Sequence, residues 1–303
     1  MGGLATLRPG TRSLLSVGTL AGAPTGSPSV AELLTPTEAR RLLDEYGLAP
    51  RKSAGQNFLV DPNTAEKIVR DAGVGPGDTV VEVGPGLGSL TAPLLERAGR
   101  VVAIEIDAGF VRVLRDRFGD GLELLHADAL DVDLADLVEG GAWFVANLPY
   151  NLATPLVVHA LDAGVFDGSY VMVQREVGER WAAAPGHPLY SGISVKLQLV
   201  AEVAVEASVP RTVFLPAPKV DSVMVRLTPR SSAPDEPTVA RVRNVVDAAF
   251  AQRRKTLRRS LRALAPREAV TAALAACDLP STARPEELTA EQFVALTAAL
   301  RRR

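Results

Sequence analysis

The apolar run AWFVA (142–146) ends in Asn147-Leu148-Pro149-Tyr150: a carboxamide, an apolar residue, a proline and an aromatic ring. Proline restrains the residue before it and brings no N–H of its own. The Leu148 carbonyl and the Asn147 side chain can therefore be held as two acceptors aimed at one point. Such a pair suits an amino nitrogen whose lone pair is delocalised into a ring. Bonding both of its hydrogens favours a more tetrahedral nitrogen, with the lone pair freed to attack. Tyr150 offers a face on which a flat base can stack. The plain alternative is a tight turn with an asparagine cap and a core tyrosine. Just beyond, Thr154 and Pro155 are expected to cap and open a core helix.

Three earlier strand ends carry ligand-type residues as well. TVVEV (79–83) runs into Gly84-Pro85-Gly86-Leu87-Gly88. Glycines at such a turn let the backbone approach a ligand closely, with helix amides facing it. Glu105, 21 residues after Gly84, can accept hydrogen bonds from two ribose hydroxyls. That spacing also fits a dinucleotide oxidoreductase, although the third glycine and Ser89 depart from G-x-G-x-x-G. Asp128, in His126-Ala127-Asp128-Ala129, can either accept from an adenine amino group or cap a helix. A sulfonium methyl donor suits this set, because its leaving group departs neutral and positioning supplies much of the acceleration. His126, His159 and His187 are scattered and no Ser/His/Asp set presents itself, so no metal is expected.

The elements that must position these residues follow from periodicity. Thr35-Pro36-Thr37-Glu38 reads as a capping box for a helix closed by Gly47, and Asp61-Pro62 opens a second that ends at Gly73. Then TVVEV, VVAIEI (101–106), LELLH (122–126), WFVA (143–146) and YVMV (170–173) alternate with helical segments. Such alternation implies parallel strands joined by helical crossovers. AEVAVEA (201–207) and SVMVRL (222–227) complete an expected seven-stranded, mostly parallel sheet in a Rossmann-like α/β fold. Past the linker-like RSSAPDEP (230–237), the pattern is helical throughout, VARVRNVVDAAFAQRRKTLRRSLRAL included. The expected organisation is a disordered extension (1–33), a catalytic domain (34–230), a linker (231–237) and a small all-α domain (238–303).

The net charge of −2 hides an asymmetry. Residues 233–303 hold 13 Lys+Arg against 8 Asp+Glu, while the preceding residues hold 20 against 27. A basic tail on an acidic body suits a polyanionic partner, most simply nucleic acid. Arg253, Arg254, Lys255, Arg258, Arg259 and Arg262 recur at helical spacing without interleaved acids. They read as a phosphate track, which Arg51 and Lys52 would extend across the catalytic mouth. A solvated charged face is the plainer reading. The single cysteine, Cys277, excludes an internal disulfide framework and suits a reducing cytosol. No apolar run approaches the ~20 residues that span a membrane.

Together these motifs resemble the ribosomal RNA adenine dimethyltransferases, most closely their small-subunit (16S, KsgA/RsmA-like) branch. The resemblance rests on GQNFLVDPN (55–63), VEVGPGLGSLT (81–91), AIEID (103–107), ADAL (127–130), NLPYN (147–151), VFLPAPKVDSVMVRL (213–227) and FAQRRKTLRRSL (250–261). It implies S-adenosylmethionine-dependent dimethylation of two adjacent adenosines near the 3′ end of small-subunit rRNA, on a pre-30S particle, by a cytoplasmic monomer. It further implies that Asn57, Leu59, Gly84, Gly86, Glu105, Asp128 and Asn147 contact the methyl donor. Asn147, Leu148, Pro149 and Tyr150 would hold the target adenine, with Phe214 stacked on its other face. From residue type alone, Gln56–Leu59 is an ordinary loop and Phe214 a core aromatic. The rival readings are a macrolide-resistance-type enzyme acting on large-subunit rRNA and a mainly structural ribosome-assembly factor.

Overall fold

The structure, a computed structural model, describes residues 33–50 and 56–300. The expectation for 1–32 and the roles expected of Arg51 and Lys52 lie outside the described residues. The first helix, α1 (Pro36–Glu45), is capped by Thr35, whose hydroxyl accepts from Glu38 N at 3.2 Å. Only half of the expected capping box forms, because the Glu38 carboxylate turns to Arg41 instead. A two-residue strand, β1 (Phe58–Leu59), then leads to α2 (Pro62–Ala72), capped by Asp61 and ended by Gly73 in the left-handed conformation.

The alternating stretch folds as β2 (Thr79–Val83), α3 (Thr91–Arg97), β3 (Arg100–Glu105), α4 (Ala108–Phe118), β4 (Glu123–His126), β5 (Ala142–Asn147), α5 (Ala153–Ala163) and β6 (Phe166–Gln174). After α6 (Arg175–Ala182) and α7 (Gly192–Gln198) come β7 (Ala201–Val209), β8 (Phe214–Leu215) and β9 (Ser222–Pro229). Seven of these strands form one sheet in the order β4-β3-β2-β5-β6-β9-β7. The pairs β2–β3, β3–β4, β2–β5 and β5–β6 are parallel, and β9 runs antiparallel between β6 and β7.

This sheet is the expected one, and apolar residues cover both faces of its central strands, while the edge strand β7 keeps Glu202, Glu206 and Ser208 exposed. Val81, Val83, Phe144, Leu156, Val157 and Trp181 bury one side; Val80, Leu94, Ile68, Val145, Tyr170 and Met172 bury the other. The strand order reverses at β2, with β3 and β4 built to one side and β5 and β6 to the other. Such a reversal opens a crevice beyond the carboxyl ends of the strands. The loops after β2 and β5 meet there.

Sequence periodicity missed one pairing. β1 and β8 form a separate antiparallel ribbon, with Phe58 opposite Leu215 and Leu59 opposite Phe214. Two residues per strand carry no periodic signal, and about 155 positions of chain separate them. The ribbon ties the Gln56–Leu59 segment to the segment before β9.

Two helical expectations need correction. Thr154 does not cap α5: the helix begins at Ala153 with Leu152 in the cap position. The Thr154 hydroxyl accepts from Trp181 Nε1 at 3.3 Å, a tertiary contact that periodicity cannot show. The run 239–264 is not one helix either. It divides into α8 (Glu236–Phe250), a turn at 251–256, and the short α9 (Leu257–Ser260). The Leu257 amide donates to Ala283 O at 2.8 Å, and Leu257 and Leu261 are fully buried, so the chain bends to satisfy both. α10 (Arg267–Ala276) and α11 (Ala290–Leu300) complete the helical segment. Its core includes Val242, Val246, Leu274 and Phe293, and also takes in Tyr190, Val195 and Leu199 from around α7.

Candidate active site

A cavity of about 300 Å³ lies at the reversal point of the sheet. It is lined from four strand ends and from β1. Asn57, Leu59, Gly84, Gly86, Glu105, Asp128, Asn147, Leu148, Pro149 and Tyr150 all contribute. Ten positions singled out in the sequence thus meet in one place, although up to 93 residues separate them along the chain.

The asparagine at the end of β5 is oriented by a hydrogen bond. Its Nδ2 donates to the Asn57 carbonyl at 3.2 Å. A carbonyl can only accept, so this contact fixes which end of the amide is nitrogen. Oδ1 is left as the acceptor. The neighbouring Leu148 is fixed through its amide, which donates to Met172 O on β6 at 3.1 Å. Among the described residues no backbone N–H donates to Leu148 O. Two acceptors on adjacent residues are therefore held ready at the cavity wall. Tyr150 is half-buried beside them, and its hydroxyl lies 3.1 Å from Ser222 Oγ. Burial raises the Tyr150 pKa, so the ring stays neutral.

The glycine loop comes close for steric reasons. Gly86 has φ +59°, and a Cβ there would lie 3.0 Å from Cε1 of Phe58. Only glycine fits both demands. Its amide donates to Glu105 Oε2 at 3.1 Å, while Asp107 N donates to Oε1 at 2.9 Å. Burial raises the Glu105 pKa, and these backbone donors pull it back. The carboxylate keeps acceptor capacity beyond these amides. Asp128 does cap the following turn, with Oδ1 accepting from Leu130 N at 3.0 Å, and it still lines the cavity.

Other cavity residues were not singled out from sequence. Ile106, 63% exposed, presents an apolar surface next to Glu105, and Phe58 and Phe110 meet edge to face at 5.2 Å. Glu82 is the least expected: a carboxyl only 2% exposed, at the fourth position of an apolar strand. Its signal was legible as the single acid in TVVEV. Among the described residues no group of three or more His, Cys, Asp or Glu could hold a metal ion.

Phe214 is the one residue expected at the target adenine that lies outside the cavity lining: it is 4% exposed and belongs to the same core cluster as Leu59, Ile68 and Met224. Pairing of β8 with β1 turns it inward, so its position is that of a core aromatic. The basic residues lie apart from the cavity. Arg253, Arg254 and Lys255 are exposed in the 251–256 turn, Arg258 and Arg259 sit on α9, and Arg262 follows it. Arg253 is already engaged, pairing with Glu286 at 3.1 Å and donating to Pro188 O at 2.8 Å. The other five have no ion pair among the described residues.

Comparison with known proteins bears on what this cavity serves. The family model described as "Ribosomal RNA adenine dimethylase" matches residues 47–301. The chain belongs to this family. Among similar dimethylase relatives is "Ribosomal RNA small subunit methyltransferase A" of Streptomyces avermitilis, 47% identical, covering 88% of this chain and 94% of that protein. The protein of the same description from Magnetococcus marinus is 46% identical, covering 84% and 93%. Of solved structures, a dimethyladenosine transferase from Plasmodium falciparum superposes with a TM-score of 0.66 at 27% identity, covering 79% of this chain and 95% of that one. The 23S rRNA methyltransferase ErmE gives 0.65 at 28%, covering 80% and 99%. The fold is thus shared with a 23S rRNA methyltransferase, while the two curated relatives carry the small-subunit description.

No helix among the described residues is long and apolar enough to cross a membrane.

Proposed function

We propose that this dimethylase transfers methyl groups from S-adenosylmethionine to the exocyclic amino groups of two adjacent adenosines near the 3′ end of small-subunit rRNA. The pair of acceptors at Asn147 Oδ1 and Leu148 O, held beside Glu105 and the glycine loop in one cavity, carries the reading. The residues present fit the donor. Gly86 puts backbone without a side chain on the cavity wall, Glu105 retains acceptor capacity for hydroxyls, and Ile106 offers an apolar face to a base. Glu105, Asp128 and the glycine loop would hold the nucleoside part, with Asn57 and Leu59 closing the wall. S-adenosylmethionine supplies a methyl group on a positively charged sulfur.

What the chain contributes is geometry and charge. Asn147 Oδ1 and Leu148 O accept the two hydrogens of the adenine amino group, which turns its lone pair toward the donor. Both acceptor dipoles also favour the positive charge that develops on that nitrogen, and being fixed beforehand they need no reorganisation. Pro149 holds their direction and Tyr150 stacks on the base. The adenine must leave its stack to reach them, which costs less in loop or single-stranded RNA.

Residues 34–230 serve as the catalytic part, 231–237 as the connection and 238–303 as the RNA-binding part. Arg254, Lys255, Arg258, Arg259 and Arg262 contact phosphates of a pre-30S particle, and the enzyme works as a cytoplasmic monomer. Incubation with under-methylated small-subunit particles and labelled donor, followed by mapping, tests this reading. Label is expected on the adjacent 3′-terminal adenosines. Label elsewhere in the particle, or preferential transfer to naked large-subunit RNA, would overturn it.

A further inference from the structure

Glu82 has no part in the reaction as described, yet it lines the same cavity. It projects from β2 and is 2% exposed. Its side-chain hydrogen bond comes from Thr91 Oγ1 on α3, which donates to Oε2 at 2.7 Å. No cation faces it. The titratable residues lining the cavity are Glu82, Glu105 from β3, Asp128 after β4 and Tyr150 after β5. Lysine, arginine and histidine are absent from the described lining. The described wall, with three carboxyls and no base, suits a ligand that brings its own positive charge. An ionised carboxylate this deep, unpaired and beside a second one, is costly to keep while the cavity holds only water.

We propose that Glu82 is a charge-sensing position of the donor site: a neutral acid in the empty cavity that gives up its proton when a cationic donor binds. Donor binding is then coupled to proton release into solvent, and the bound charge of the ligand takes the place of the lost proton. The inference rests on the reading that this cavity holds the methyl donor. Burial, reinforced by the charge of Glu105 and opposed by the Thr91 hydrogen bond, pushes the Glu82 carboxyl up to about 8. At pH 7 it is therefore mostly protonated before a ligand arrives. A positive charge alongside favours the ionised form and lowers its pKa. The donor has two such charges, a sulfonium and an α-ammonium, and the demethylated thioether product keeps only the second.

Calorimetric titration of the full chain with S-adenosylmethionine, in buffers of different ionisation enthalpy at pH 7, counts the protons released. The donor's own α-amine is already mostly protonated at pH 7, so any difference it makes between native protein and Glu82→Gln is small beside the proton lost from Glu82. Native protein is expected to release up to about 0.9 proton more than the variant, given a group titrating near 8. S-adenosylhomocysteine separates the two charges. Excess release with both ligands assigns the ammonium as the charge sensed, and release with the methyl donor alone assigns the sulfonium. Equal proton counts for native and variant with both ligands would overturn the proposal. An infrared difference spectrum of the native protein needs no variant: the protonated-carboxyl stretch should vanish on donor binding, and its persistence refutes the coupling. If the native protein fails to bind the donor at all, the donor-site reading itself falls, and this inference with it.

Discussion

Replacing Asn147 with alanine removes one of the two acceptors posited to grip the target amino group and leaves the other. Leu148 O belongs to the backbone and stays anchored through its own amide to Met172 O. The loss is therefore that of a single preorganised dipole. Removing one such group from a water-poor site typically costs about 3–4 kcal/mol in the transition state, or ~10²–10³ in rate. The hydrogen bond to Asn57 O also goes, at about 1 kcal/mol of stability, which a chain of this size tolerates. Binding of particles should change little, because the residues proposed to contact phosphate lie outside the cavity. Single-turnover methyl transfer to under-methylated small-subunit particles, with filter binding in parallel, separates these effects. A variant that retains transfer within tenfold of native would refute the acceptor-pair argument. So would a rate loss fully accounted for by weaker particle binding.

Further outcomes concern the glycine turns, Glu82 and the basic segment. Gly86→Ala must adopt φ +59° with its Cβ 3.0 Å from Phe58, so about 1–2 kcal/mol of stability and most donor affinity should be lost. Gly47→Ala, at φ +62° with open space around it, should lose similar stability in urea unfolding and keep donor affinity. Glu82 titrates near 8 when folded against an ordinary 4.5, so the native state holds a proton that the unfolded chain has given up. Stability should therefore fall as pH rises from about 4.5 to about 8, by up to ~1.4 kcal/mol per pH unit, and Glu82→Gln should flatten that slope. Arg258→Gln and Arg259→Gln should each weaken RNA binding and lower the salt-dependence slope by about one. Arg253→Gln, already tied to Glu286 and Pro188 O, should move the slope less and lower the melting temperature slightly.

Much of the fold was legible before any coordinates. The strands of the main sheet announce themselves as short, mostly apolar runs between helical stretches, because the central ones are covered on both faces. Glycines, proline and acids at the strand ends stand out against those runs, and nearly all of them line the cavity. What failed were features set by distant partners. Thr154 has the chemistry of a cap but bonds Trp181, 27 residues on. The basic run has helical spacing, yet the Ala283 carbonyl and two buried leucines bend it at 251–256.

Residue order alone therefore determined the alternation of strands and helices, the place of the ligand-type residues at strand ends, and the family they resemble. Tertiary structure decided how those residues act together. It joined β1 to β8, buried Phe214, set the Asn57 carbonyl against the Asn147 amide, and enclosed Glu82 with no cation beside it among the described residues. The reason is physical. Periodicity records which face of an element meets the core, whereas hydrogen-bond partners and desolvation depend on what the rest of the chain brings alongside.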